Sequence, residues 1–417
     1  MTVLTLEGLR PGAATSSSAL RGLVRAGVTT LMLAALAACS TGPRPETRGT
    51  AGEPAGESAT AGATERADAG GPVPVAILVP LGAADQRAAE SASAILKAAE
   101  LAVAGPSGSA IRLKSYDTRG TPAGAKAAAE AALADGTTLI LGPLFASSTR
   151  AAGQAAAGAG VPVLSFSTDT TVAGGNVWVT GFSPENEVGR ILSYAAGQGI
   201  EAVAVYAPDV PYGAAAMRGV REASSDGRVS VVASEIYPRS FQDIERTSPL
   251  FVSNARAAGA QAILMPDFGQ GLAIAASFVN FHGMPQPATR YLGIGQWETG
   301  ETLRAPELVG GWFAGADTAA TAAFFQRYAT RYGARPPFVA VLGYDAASVA
   351  ARLAAEAGGR AAFTAQALTR EAGFEGAVGA LRLRPDGRTD RGLAVLEVGN
   401  GRFNVLDPAP RRFAAGS

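Results

Sequence analysis

From Val73 onward the chain alternates between short β-rich runs and longer stretches in which apolar residues recur every three or four positions. VPVAILVP (73–80), IRLKSYD (111–117), TTLILGP (137–143) and VPVLSFS (161–167) are of the first kind. Gln86–Val103, the alanine-rich Ala123–Ala134 and a stretch from about Ser147 are of the second. Strands with continuous rather than alternating apolar positions, each separated by a helix, predict a parallel sheet covered on both faces.

The pattern then begins again. FSPENEVGRILSYAA carries the chemistry of a helix start, with Ser183 as cap, Pro184 in the first turn, and Glu185 and Glu187 at the positive end of the dipole. Val188, Ile191, Leu192 and Ala195 mark its apolar face. Strands are predicted at AVAVYAP (202–208), VSVVASEIY (229–237) and AQAILMP (260–266), each followed by a helix. Two successive βα series imply two similar lobes. Further on, residues 317–333 form a helix with Phe324, Phe325, Tyr328 and Tyr332 on one side and Gly333 as its stop. Residues 339–359 form another, and Asp386-Gly387 and Asn400-Gly401 signal hairpin turns.

The first 72 residues follow neither pattern. Gly27–Ala38 is a short apolar run behind Arg21 and Arg25, shorter than the ~20 residues a membrane span needs and suited to the core of a secretory signal. More residues precede Arg21 than such a signal requires. The run ends at Cys39, the chain's one cysteine, which has no intramolecular partner. LAAC (Leu36–Cys39) resembles the lipobox of bacterial lipoproteins, which implies a signal peptide over 1–38 and a lipid on Cys39. In that family a non-aspartate such as Ser40 after the cysteine implies an outer-membrane address. Ser40–Pro72 contains no aromatic residue and no Leu, Ile, Val or Met. Such a segment cannot offset its ordering entropy, so 39–72 is expected to be a lipidated, disordered tether with a span of roughly 30 Å.

Composition narrows the function. Hydrophobic residues make up 47% and charged residues 17% of the chain, and the formal net charge is zero. That gives no basic field for nucleic acid. The one histidine, His282, has no zinc-type spacing to a cysteine, and no phosphate-binding loop, dinucleotide fingerprint or nucleophile elbow occurs. Neither an enzyme nor a cofactor or metal is expected, and His282 is assigned to a helix end.

In this order, VAILVPLG, YDT, LILGPLFASS, VPVLSFSTD, VYAPDVPYG, LMPDFGQG, YLGIGQWE, GYDAA and FEGAVGALRLRPDGR resemble the type I periplasmic binding proteins. More narrowly they resemble the leucine/isoleucine/valine-binding family, over residues 73–409. The resemblance implies an α/β fold of two doubly wound parallel-sheet lobes joined by three crossovers near 181, 317 and 373. Lobe 1 would be 73–181 plus 318–372, and lobe 2 would be 182–317 plus 373–409, with the cleft between them.

Ligands of such sheets sit at strand carboxyl ends beside helix N-termini. Ser147 and Ser148 follow one strand and open a helix, and Ser165, Ser167, Thr168 and Asp169 lie at the next strand end. The family's amino-acid receptors hold the ligand carboxylate on these loops. The family's closing tyrosine matches Tyr212, and Asp267 and Glu298 are the matches for an acid on the ammonium. The chain departs from the pattern at Phe145 and at Gln296-Trp297. The tethered VAILVPLG and the closing LRLRPDGRTDRGLAVLEVGNGRF are also similar to penicillin-binding protein activators, lipoproteins that stimulate a peptidoglycan synthase. The expected function is therefore a non-enzymatic envelope adaptor with a peptidoglycan synthase as partner. The alternative is the receptor of an amino-acid ABC transporter, with the transporter permease as partner and a small amino-acid-like ligand in the cleft.

Overall fold

A computed structural model describes residues 71–413 except Gly358. The signal peptide, Cys39 and the tether lie outside the described residues. The first sheet contains β1 (Val73–Val79), β2 (Ile111–Asp117), β3 (Leu139–Leu141), β4 (Val163–Ser165) and β5 (Val177–Val179). It is parallel throughout, in the order β2-β1-β3-β4-β5. Successive side chains of β1 serve opposite faces. Val73, Val75, Ile77 and Val79 pack on α1 (Gln86–Val103), while Ala76 and Leu78 pack on α2 (Pro122–Ala134) and α3 (Ala146–Ala157). This is why β1 is apolar at every position.

The second sheet begins after α4 (Pro184–Gly197). It comprises β6 (Ala202–Pro208), β7 (Ser230–Tyr237), β8 (Ala262–Leu264), β9 (Arg290–Gly293) and β10 (Trp312–Gly315). These alternate with α5 (Pro211–Ala223), α6 (Phe241–Ala257) and α7 (Gly269–Phe281). On β6, Ala204 and Tyr206 face α6 and α7, whereas Val203, Val205 and Ala207 face α4 and α5. The chain then returns to the first lobe as α8 (Thr318–Tyr332) and α9 (Ala340–Ala357), both buried on the α1 face of the first sheet. Gly343 on α9 faces α1, where a Cβ would meet the carbonyl oxygen of Ile95 at 2.1 Å.

Helix boundaries follow local chemistry. Ser183 accepts from the Asn186 N–H at the start of α4, and Asp317 accepts from Ala319 and Ala320 at the start of α8. Gly333 ends α8 with φ +77°. His282 caps the end of α7 through its backbone N–H. Three strands differ from the sequence reading. β5, β9 and β10 are short and either lack an intervening helix or contain glycine, so they carry no strong strand signal.

A larger difference concerns the third crossover. The strands β11 (Phe374–Glu375), β12 (Ala380–Leu383) and β13 (Thr389–Arg391) form a small antiparallel sheet of their own. Phe374, Leu381 and Leu383 join the core of the first lobe. The expected division at 373 is therefore displaced: the chain enters the second sheet only at β14 (Ala394–Val398), which pairs antiparallel with β10 and with β15 (Phe403–Asp407). Hairpin signals fix local pairing but do not specify which core a hairpin covers.

The first and third crossovers are tied together by one buried cation. Arg391 donates to the Thr180 carbonyl oxygen from Nε (2.9 Å) and Nη2 (2.7 Å), and to Asp345 Oδ2 on α9 from Nη1 (2.8 Å). Its backbone N–H donates to Asn186 Oδ1 on α4 at 3.2 Å. Both charged side chains are nearly inaccessible to water (3% and 1% exposed), so removing one leaves the other without compensation. Arg391→Met is expected to destabilise the fold by about 3–5 kcal/mol in urea unfolding. Arg391→Met with Asp345→Leu should recover part of that loss. If the single variant is as stable as the parent, the pair does not hold the hinge.

Candidate functional site

A cavity of about 790 Å³ lies between the lobes. On the first-lobe side its walls come from the ends of β3 and β4. Gly142, with φ +88°, makes the turn after β3; a Cβ there would meet the Leu78 carbonyl oxygen at 2.3 Å. Phe145 stands at the N-cap of α3 without capping it, so the first N–H groups of that helix have no side-chain partner. The loop after β4 is knotted to α3 by Ser165, whose hydroxyl lies 2.6 Å from that of Thr149. Ser165 also donates to the Pro143 carbonyl oxygen (3.2 Å) and accepts from the Ser167 N–H (3.1 Å).

The sequence-predicted residues separate on inspection. Ser167, Thr168, Asp169, Tyr212 and Glu298 all line the cavity, together with Phe145, Phe182 and Phe338. Asp169 is also a turn cap: its carboxylate accepts from the Thr171 N–H, and its own N–H donates to Ser167 Oγ. Ser147 is exposed and outside the cavity lining. Ser148 is buried, and its hydroxyl has no partner among the described residues. Asp267 does not face the cavity. It is buried at the end of β8 with its oxygens taken by Tyr237 Oη (2.6 Å), Arg239 Nε (2.7 Å) and the Phe268 N–H (2.7 Å). Of the two acids matched to an ammonium group, only Glu298 lines the cavity.

A third acid in the cavity lining, beside Asp169 and Glu298, is one that the sequence pattern assigned to a helix dipole. Glu187, in the first turn of α4, is 6% exposed and lines the cavity. Its Oε2 accepts from Tyr212 Oη at 3.1 Å and from the Gly295 N–H at 3.2 Å. No hydrogen bond among the described residues reaches its Oε1. A signal was present in the sequence: Glu187, Ile191 and Ala195 are four residues apart and share the buried stripe of α4.

Burial pushes the Glu187 carboxyl up to about 8, against the opposing pull of Tyr212 and the Gly295 N–H; Glu185 and Glu298 add to the rise. Glu298 rises to about 7, again from burial, opposed by the Ala316 N–H at 3.3 Å and by Arg335 of the first lobe. The Tyr212 phenol is pushed well above its usual value by burial and then by the charge of Glu187. Ser167 and Thr168 thus share an aromatic-walled cavity with two carboxyls that burial raises above the usual carboxylate range. Among the described residues no group of three His, Cys, Asp or Glu side chains could hold a metal ion, and no helix is long and apolar enough to cross a membrane.

A family model described as periplasmic binding protein matches residues 72–402. No curated protein matches the chain in sequence. Among solved structures, an ABC transporter protein from Rhodospirillum rubrum assigned to branched-chain amino acids superposes with a TM-score of 0.68 at 23% identity, covering 80% of this chain and 100% of its own. A substrate-binding protein from Desulfitobacterium hafniense in complex with Leu has a TM-score of 0.58 at 20% identity, covering 80% and 99%. A solute binding protein from Rhodopseudomonas palustris BisB5 in complex with 3,4-dihydroxy benzoic acid has a TM-score of 0.56 at 20% identity, covering 82% and 97%. These likenesses are of fold.

The raised carboxyls give the ligand-free protein a particular pH dependence. Glu187 keeps its proton to about pH 8 when folded, against a usual value of 4.5. Between those values the unfolded chain has released a proton that the folded chain still holds, so stability falls as pH rises. Glu298 acts in the same direction over a narrower window. Glu187→Gln is expected to flatten this decline by on the order of 3 kcal/mol, read from urea unfolding between about pH 5 and pH 8. A variant with the wild-type slope would show that Glu187 does not carry the titration.

Proposed function

The chain belongs to the periplasmic binding protein family, and from that premise we propose that it is the non-enzymatic solute receptor of an ABC transporter. The observation that carries this reading is the interlobe cavity with a buried, underbonded carboxyl at its second-lobe wall. A small amphiphilic solute of amino-acid type fits these walls. Its carboxylate meets the hydroxyls of Ser167 and Thr168 and the uncapped N-terminus of α3. Its ammonium group lies at Glu298 and Glu187, which ionise when a cation replaces lost water. Its apolar body rests on Phe145, Phe182 and Phe338.

The sequence favoured an adaptor that stimulates a peptidoglycan synthase. An adaptor working through its outer surface needs no buried carboxyl in a cleft, and the cavity tips the balance to the receptor. In the same proposal Cys39 carries a lipid that anchors the chain to the envelope, probing the periplasm on its tether.

Two measurements test this. In thermal melts with leucine, valine and phenylalanine, a binding solute at about a hundred times its dissociation constant stabilises the fold by about 2.7 kcal/mol. Glu298→Gln or Tyr212→Phe should weaken that solute about ten- to a hundredfold in calorimetry. If no solute raises the melting point and the chain instead captures a peptidoglycan synthase from solubilised envelope, the adaptor reading replaces this one. Separately, Cys39→Ala is expected to accumulate as unprocessed precursor and to leave the detergent phase; a variant that still partitions there removes the lipid anchor.

A further inference from the structure

A second cavity, of about 950 Å³, lies behind the crossovers. The two cavities divide the crossover residues between them: Phe182 and Leu393 face the front, whereas Ser183 and Arg391 line the back. One wall of the back cavity is second-lobe α4 and α5; the other is the turn between β12 and β13. That turn is rigidly part of the first lobe. Trp178 Nε1 donates to the Arg384 carbonyl oxygen at 2.9 Å, the Val179 N–H donates to the Gly387 carbonyl oxygen at 2.8 Å, and Leu381 and Leu383 are buried in the first core.

The two walls are joined by charge. Glu222, near the end of α5, accepts from Arg388 Nη1 at 2.6 Å and lies 3.9 Å from Arg384 Nη1. Within the hairpin, Asp386 holds Arg388 at 2.8 Å and Arg384 at 3.2 Å, and Asp390 lies 3.5 Å from Arg384. Only Glu222 reaches these arginines from the other lobe among the described ion pairs. The crossovers act as a pivot between the cavities, so a rotation that narrows the front cleft draws α5 away from the hairpin and stretches the Glu222 pairs.

We propose that Glu222, Arg384 and Arg388 form a latch behind the hinge that opposes lobe closure and thereby sets the affinity of the front cleft without touching its ligand. The latch rests on the receptor reading in that ligand binding drives the closure. The pairs are half exposed, which makes the latch weak and sensitive to salt. A receptor that must release its solute gains from such a brake, because the cost of breaking it lowers the fraction of closed, binding-competent molecules.

The test uses the full-length chain carrying Cys39→Ser, with spin labels at Glu130 and Glu245, which are exposed on the first and second lobes. Without ligand, Glu222→Gln is expected to shift the interlobe distance distribution away from that of the parent. High salt should reproduce the shift in the parent and add nothing in the variant. With leucine as probe, Glu222→Gln should bind about two- to fivefold more tightly. A distance distribution unchanged by Glu222→Gln and by salt overturns the latch. Leucine failing to bind either protein counts against the receptor reading, and the distances still decide the latch.

Discussion

A guanidinium buried where two lobes meet must find acceptors on every strand of chain that passes it, or the junction does not form. Arg391 finds them on the Thr180 carbonyl of the first crossover and on Asp345 of α9, while its own backbone belongs to the third crossover. Asp345 is satisfied in turn by the Ala377 N–H at 2.6 Å. The plane of the guanidinium also lies 4.3 Å from the Phe182 ring centroid, and that ring packs at 5.0 Å against Phe338. Phe182 and Phe338 are walls of the cleft. A single buried cation therefore contributes both to the hinge and to the apolar wall of the cleft.

The cleft shows the complementary strategy. Arg391 and Asp345 are paired at all times, whereas Glu187 and Glu298 have no ion-pair partner among the described residues. Burial shifts both toward the protonated form, Glu187 more strongly than Glu298, because an isolated carboxylate in that setting is costly. In the proposed receptor, a ligand ammonium supplies the missing charge and displaces those protons. Arg335, exposed at the first-lobe rim and stacked 4.4 Å from the Phe325 ring, is the one cation lining the cavity among the described residues. In the proposed receptor that leaves the wall at Glu187 and Glu298 acidic, which favours solutes carrying a protonated nitrogen over simple carboxylates.

How much of this was legible in the sequence depends on the range of the forces involved. The strands of the first sheet announced themselves because burial on both faces demands apolar residues at consecutive positions, and Ser183, Asp317 and Gly333 act within one helical turn. Strands β9 and β10 were missed because four residues with a glycine carry no period. The hairpin of β12 and β13 was visible as a hairpin, but its attachment to the first lobe depends on Trp178, some two hundred residues away in sequence. The same limit explains the acids. Asp267 and Glu187 look alike as sequence, and only the tertiary neighbours show that Arg239 and Tyr237 consume one while the other points into the cavity.

The abundance of alanine and glycine has a mechanical consequence. Between α1 and α9 the buried face is largely alanine, and Gly343 lets the backbones approach until no methyl group fits. Interiors packed this closely resist deformation, which favours rotation of each lobe as a body over internal rearrangement. Relative motion is then concentrated where the chain passes between lobes, near 180–183, 315–318 and 391–394, and after β15, where the Ala380 N–H donates to the Pro410 carbonyl oxygen at 2.8 Å and brings the chain back to the first-lobe hairpin. Side chains that restrain this hinge include Arg391, which joins the first and third crossovers, and Glu222, which bridges the lobes behind them beside the Thr170–Glu185 hydrogen bond of 2.7 Å. The first is buried and insensitive to salt, and the second is exposed and adjustable. A hinge built this way keeps its axis fixed while the energy of rotation about it remains open to tuning by one surface charge.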